Sequence, residues 1–147
     1  MKIYLDNCCF NRPYDSQAAE RIKLETEAKL YIQRLVMEGK LALVWSFMLD
    51  YENSASPYPD QREAIGQWKD VARQYIPALE KVRERGSAIE VATGIKPKDA
   101  LHLACDVEAD SDYFITTDRS FLKRSQVVKE VQALNPIDLV LILEDSR

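Results

Sequence analysis

Four acidic side chains, Asp6, Glu52, Asp99 and Asp118, stand where a metal-dependent hydrolase would need them. Asp6 ends the apolar run Lys2-Ile-Tyr-Leu, and Asp118 closes Tyr113-Phe-Ile-Thr. Glu52 follows a second apolar run, Leu41 to Trp45, and Asp99 opens an apolar helix. Only folding can bring them together. In an open α/β sheet, residues just past the carboxyl ends of neighbouring parallel strands line one crevice, and helices that start there add their first turns to its rim. Four acids converging on such a crevice repel one another. The usual relief is a hard divalent cation with oxygen ligands, Mg²⁺ or Mn²⁺. Such an ion activates water and clamps a phosphate, so the chemistry expected is phosphodiester hydrolysis with no protein nucleophile.

Each acid also has a plainer reading. Asp6 could be an ordinary strand-end carboxylate. Asp99 could serve the dipole of its helix, although Ala100, Leu103, Ala104 and Val107 turn the other side of that helix inward. Asp118 can cap the next helix and still face the crevice. For Glu52 the nearby Asp50 is the substitute. His102, the one histidine, lies a turn beyond Asp99 and reads as a partly buried helix residue rather than a general base.

The elements that must position these residues follow from periodicity. Residues 2–6 read as a strand, 7–14 as a loop, and 16–37 as a helix with Leu24, Ala28, Tyr31 and Leu35 at helical spacing and Gly39 as its stop. Leu41 to Trp45 is an unbroken apolar run, as a strand buried on both faces requires. Ser46 can cap the helix that reaches Glu52. Asp60 then caps a helix burying Ile65, Trp68, Ala72 and Tyr75 and ending at Pro77. A helix from 78 to 91, weakened at Gly86, precedes the helix 97–108. A strand at 113–116, a short helix from Arg119, an edge strand at 131–134 and a helix capped by Asn135 complete the chain. Short strands alternating with helices predict a parallel sheet covered by helices. At 147 residues, without repeat or linker, the chain is expected to form one domain over 1–147.

Composition narrows the function further. With 46% hydrophobic and 30% charged residues, wholesale disorder is excluded. A net charge of −4 excludes a glove-like electrostatic grip on nucleic acid, so any such contact must use a local basic patch. Arg12, Lys96, Lys98, Arg119, Lys123 and Arg124 fall in loops or first turns near the proposed rim. No apolar stretch reaches the ~18 residues of a membrane span, and no signal peptide is evident, so a cytoplasmic protein is expected. Cys8, Cys9 and Cys105 include no Cys-x-x-Cys pair, and one histidine makes a structural zinc site improbable; the thiols are read as reduced.

Asp6 after the first strand, Ser46-Phe-Met-Leu-Asp-Tyr-Glu52, Asp99-Ala-Leu-His-Leu-Ala104 and Thr116-Thr-Asp118-Arg-Ser-Phe121 together resemble the four acidic blocks of PIN domains. The likeness runs from Met1 to about Leu143. It implies a three-layer α/β/α sandwich around a mostly parallel sheet of four to five strands. It also implies a Mg²⁺- or Mn²⁺-dependent endoribonuclease, with Asp6, Glu52, Asp99 and Asp118 as catalytic and metal-holding residues. Many bacterial members are toxins of toxin–antitoxin pairs, so an antitoxin protein becomes an expected partner beside an RNA substrate. A homodimer is expected too, since helix 17–37 and the Trp68-bearing segment offer more apolar surface than one small sheet needs. Thr116 matches the family's hydroxyl ahead of the last acid, and Thr116 and Asn7 are expected to support the acids by hydrogen bonding. Arg12, Lys98 and Arg119 are expected to contact substrate, with Phe10, Tyr14 and Tyr58 as surfaces for unstacked bases. One departure is Cys8, where the family often carries a small hydroxyl or amide residue.

Two other classes compete. An aspartyl-phosphate phosphatase also starts from a strand-end Asp, but its Asp-x-Asp pattern meets Cys8 here. A non-catalytic RNA- or protein-binding module of the same fold is the stronger alternative. Against it stand four acids whose mutual repulsion costs stability unless an ion offsets it.

Overall fold

The computed structural model describes residues 1–145. Its strands are β1 (Lys2–Leu5), β2 (Ala42–Ser46), β3 (Gln74–Ile76), β4 (Tyr113–Ile115) and β5 (Ala133–Leu134). They form one sheet in the order β3-β2-β1-β4-β5, parallel throughout. The helices are α1 (Asn7–Asn11), α2 (Glu20–Met37), α3 (Phe47–Ser54), α4 (Pro59–Gly66), α5 (Trp68–Val71), α6 (Glu80–Thr93), α7 (Pro97–Ala109), α8 (Arg119–Ser125) and α9 (Pro136–Asp145), with a 3₁₀ turn at Arg12–Tyr14.

Strand order dictates the layers. The steps β1 to β2 and β2 to β3 run one way along the sheet, and β3 to β4 runs back, so right-handed crossovers put their helices on opposite faces. Accordingly α2 packs with α9, and α6 with α7, giving the three-layer α/β/α sandwich. Covered on both faces, the middle strands bury Ile3, Tyr4, Leu5, Leu43, Val44 and Trp45 almost completely, which explains their unbroken apolar runs. Gly86 marks the close approach of α6 to α7: a Cβ there would come within 2.9 Å of the Leu101 side chain. Its lack of a side chain lets the helices meet.

Several stretches differ from the sequence reading. The helix predicted to run through Trp68, Ala72 and Tyr75 breaks into α4 and α5, and Tyr75 belongs to β3. Parallel pairing of Val44 with Gln74 and Ser46 with Ile76 satisfies the free edge of β2, and those backbone bonds outweigh a helical spacing. Pro59, not Asp60, begins α4. Residues 7–14, expected as a loop, coil into α1 and the 3₁₀ turn and thereby bury Cys9 and Phe10. The inward stripe of α2 is Ala28, Ile32, Leu35 and Val36, and Leu24 faces solvent. Among the described residues no helix is long and apolar enough to cross a membrane.

Candidate functional site

β1 is the point from which the sheet grows in both directions, and the crevice beyond the carboxyl ends of β1 and β4 is where open α/β sheets bind ligands. Strands arriving there end directly on helix starts. Asp6 follows β1 and caps α1, its Oδ1 accepting the Asn7 N–H at 2.8 Å. Ser46 caps α3 by accepting the Leu49 N–H at 3.3 Å, and α3 carries Glu52. Asp118, beyond β4, caps α8 by accepting the Phe121 N–H at 3.1 Å. Asp99 sits in the first turn of α7, just after Pro97. Asp118 caps its helix beside Asp99, on whose carboxyl its charge acts.

Asp6, Glu52 and His102 each offer a ligand atom, and these atoms all lie within 4.8 Å of one another. His102 is fully buried. Its Nε2 hydrogen-bonds Glu52 and stands 3.8 Å from Asp6 Oδ1. Its Nδ1 meets the Tyr4 hydroxyl at 2.6 Å, and that hydroxyl is 2.6 Å from Ser46 Oγ. On the other side, Asp6 Oδ2 accepts from Thr116 Oγ1 at 2.9 Å, and Thr116 Oγ1 accepts the Asp118 N–H at 3.1 Å. Thr116 thus ties Asp6 to the turn that presents Asp118. Asp99 and Asp118 line a small adjoining cavity of about 170 Å³ with Lys96 and Arg124.

The charge in this crevice is poorly balanced. Among the described residues no lysine or arginine forms an ion pair with any of the four acids, and Asp6 and Glu52 have only His102. Burial, helped by the charges of Asp6, Asp118 and Glu52 and opposed by His102, pushes the Asp99 carboxyl up to about 6. Burial disfavours charge on His102, yet its hydrogen bond to Glu52 and the surrounding Asp6, Glu52 and Asp99 hold the imidazole above its ordinary value. Carboxylate oxygens, one imidazole and surplus negative charge make a donor set that suits a divalent cation. Asp50, the substitute for Glu52, is engaged elsewhere. It accepts from Trp45 Nε1 at 2.8 Å, the Tyr75 hydroxyl at 2.7 Å and Lys69 Nζ at 3.1 Å. Against the effect of burial, those bonds keep its carboxyl below the usual range.

The histidine is the residue that the sequence reading placed outside the site. A signal was present: Asp99 and His102 are three apart on one helix and so share a face.

Among solved structures, VapBC2 from Rickettsia felis, bound to a DNA fragment from their promoter, matches over 92% of this chain and 98% of the solved chain, with 12% identity and a TM-score of 0.57. VapBC-1 from nontypeable Haemophilus influenzae matches over the same shares, with 16% identity and a TM-score of 0.61. No family model and no curated protein matches the sequence. The fold is PIN-like. Within it, Cys8 fills the position where the family often has a hydroxyl or amide: its thiol reaches Asp6 Oδ2 at 3.3 Å and Thr116 Oγ1 at 3.4 Å. The hydrogen bonding around Asp6 is thus maintained by sulfur.

The PIN-like crevice gathers the expected supporting and basic residues unevenly. The Asn7 backbone supports Asp6, while its buried side-chain Oδ1 has no hydrogen-bond partner among the described residues. Lys98 lies over the Tyr51 ring at 5.2 Å, beside Asp99 and Glu52 in sequence, and Arg119 is exposed next to Asp118. Arg12 points elsewhere, all three of its side-chain nitrogens taken by Glu25 and Asp15. Tyr14 and Tyr58, both exposed, line an open groove of about 610 Å³ with Glu52, Asn7, Asn11 and Gln61. Phe10 is no base-stacking surface, because it is fully buried against Trp45.

Proposed function

We propose that this chain, acting as one unit over residues 1–147, is a divalent-metal-dependent endoribonuclease that cleaves single-stranded or loop RNA. Asp6, Glu52, Asp99 and Asp118 hold the ion, Mg²⁺ or Mn²⁺. The observation that carries the reading is that Asp6 and Glu52 meet around His102, short of cations, at the crevice where the strand order of the PIN-like sheet reverses, with the charges of Asp6, Glu52 and Asp118 all bearing on Asp99. When bound, the ion supplies an activated water and offsets charge on the departing oxygen. Thr116 and the Asn7 backbone keep Asp6 aimed into the crevice. Lys98 and Arg119 at the rim take backbone phosphates, and the Tyr14 and Tyr58 groove receives unstacked bases. Arg12 stays with Glu25.

The matched structures are VapBC assemblies, and we carry that over as an antitoxin partner for this chain. Exposed Leu24, Leu30 and Met37 on α2 support a homodimer, and the setting is cytoplasmic. The decisive assay is cleavage of a pool of unstructured RNAs. Wild type should cut them, EDTA should abolish cutting, and added Mn²⁺ should restore it. Cleavage that persists in EDTA overturns the reading, and a purified protein that binds the pool without cutting it under any divalent ion is a binding module instead.

A further inference from the structure

We infer that His102 is itself a ligand of the bound ion, and that the site therefore selects a first-row transition metal such as Mn²⁺ over Mg²⁺. The inference rests on the reading above that the crevice holds a divalent cation.

Its basis is the way the ring is held. His102 projects from α7 into the sheet's crevice with no exposed surface, and both nitrogens are placed. Nδ1 is fixed by the Tyr4 hydroxyl, which is fixed in turn by Ser46, the cap of the helix that carries Glu52. The Tyr4 ring meets the imidazole edge-on, with centroids 5.7 Å apart at 81°, which stops the ring from rotating away. Nε2 is left aimed between Glu52 and Asp6. There the nitrogen either donates its N–H to Glu52 or, with the proton on Nδ1, directs a lone pair at a point beside two carboxylate oxygens, where a cation would be shared by all three. A histidine whose second nitrogen is held by an outer hydrogen bond is the usual form of a metal-binding histidine: the bond sets the ring's direction, and with the Tyr4 hydroxyl accepting from Nδ1–H the Nε2 lone pair is left for an ion.

An imidazole among carboxylates changes which ion fits best. Mg²⁺ prefers oxygen donors and gives up its waters reluctantly. Nitrogen donors favour transition metals, and a mixed oxygen and nitrogen set suits ions such as Mn²⁺, Fe²⁺ and Co²⁺. Without His102 the same crevice would be an all-oxygen site.

The chain contains one histidine, which makes the test direct. Untagged protein labelled with ¹⁵N only at histidine is loaded with Mn²⁺ and measured by pulsed EPR, where a ¹⁵N coupling to the metal can come from His102 alone. The coupling is expected. Calorimetric titration with Mn²⁺, Co²⁺ and Mg²⁺ forms the second arm. His102→Gln should shrink the preference for Mn²⁺ over Mg²⁺ by at least ~10-fold while leaving Mg²⁺ affinity within about threefold. Should His102→Gln fail to fold, the wild-type EPR measurement decides by itself. If Mn²⁺ binds in a manner lost in Asp118→Asn, yet shows no ¹⁵N coupling, His102 is only an internal counter-charge and the inference falls while the metal reading stands. If none of the three ions binds, the metal reading falls and takes this inference with it.

Discussion

Glu25 and the crevice acids pose the same electrostatic problem and meet it in opposite ways. Glu25 on α2 is wholly buried, and its charge is answered locally. Arg12 donates to Oε1 at 2.9 and 2.8 Å, Arg21 reaches Oε2 at 3.2 Å, and Asn135 adds a further bond to Oε2. One carboxylate thus has two guanidinium groups, and the cluster ties the 3₁₀ turn, α2 and the start of α9 together. At the crevice, one imidazole answers Asp6 and Glu52, and among the described residues Asp99 and Asp118 have no ion-pair partner. The chain has 20 lysines and arginines for its 24 acids, so cations were not lacking. They were spent where an acid serves the fold and withheld where acids must keep room for an ion.

Removing each kind of acid should separate the two roles. The largest effect belongs to Glu25→Ala, which strands Arg12, Arg21 and Asn135. Because the arginines retain some solvent contact, the low end for a broken buried pair applies, about 3 kcal/mol lost in urea unfolding. A loss below ~1 kcal/mol would collapse the contrast. Next is Asp118→Asn, which should cut RNA cleavage at least ~10²-fold, roughly 2.7 kcal/mol of barrier. Stability without metal should hold or rise, since a repelling charge is gone. Substantial destabilisation there would make Asp118 a structural cap first.

Asp106 tests an intermediate case. It is buried with Ser111 as its hydrogen-bonding partner, and burial, opposed by Ser111 and assisted by Asp110, pushes its carboxyl up to about 7. Since the folded value lies above the usual one near 4, the folded state keeps a proton that the unfolded state releases. Stability attributable to this group is therefore full below pH ~4, falls as pH rises to about 7, and stays low above it. Asp106→Asn should flatten that slope and gain stability at pH 8 relative to pH 4. Parallel pH profiles for wild type and variant would disprove it. The smallest effect is ionic. Millimolar Mn²⁺ or Mg²⁺ should stabilise the wild type by on the order of 1 kcal/mol in thermal melts, and Asp6→Asn with Asp118→Asn should not respond. An undiminished response in that double variant would move the ion elsewhere.

Much of this architecture was legible in the chain because long periodic segments and apolar runs carry strong signals. α7, α9, β1, β2 and β4 fall close to where spacing put them. β3 did not, because three residues that continue the spacing of Ile65, Trp68 and Ala72 look like the tail of an amphipathic helix until a neighbouring strand edge is known. α1 was hidden too: Asn7-Cys-Cys-Phe-Asn has little helical preference, and burial of Cys9 and Phe10 decides its shape. For the site, the strand-end and helix-start contexts of Asp6, Asp99 and Asp118 were readable locally. Glu52 was chosen with Asp50 as its substitute, and what sets Asp50 apart, its bonds to Trp45, Lys69 and Tyr75, lay beyond local sequence. The burial of His102 against Tyr4 likewise joins residues nearly a hundred positions apart.

The central place of β1 also constrains how the molecule can be made. β1 leaves the ribosome before the other described strands, yet one of its edges waits for β4, where Ile3 pairs with Tyr113. At ~5–20 residues per second, the intervening stretch takes on the order of 5–20 s to emerge. During that interval an apolar strand, paired at most with β2, presents bare backbone to any other nascent chain. Prematurely terminated products that stop short of residue 113 lack the partner altogether, and they are the species that should seed aggregates and occupy chaperones.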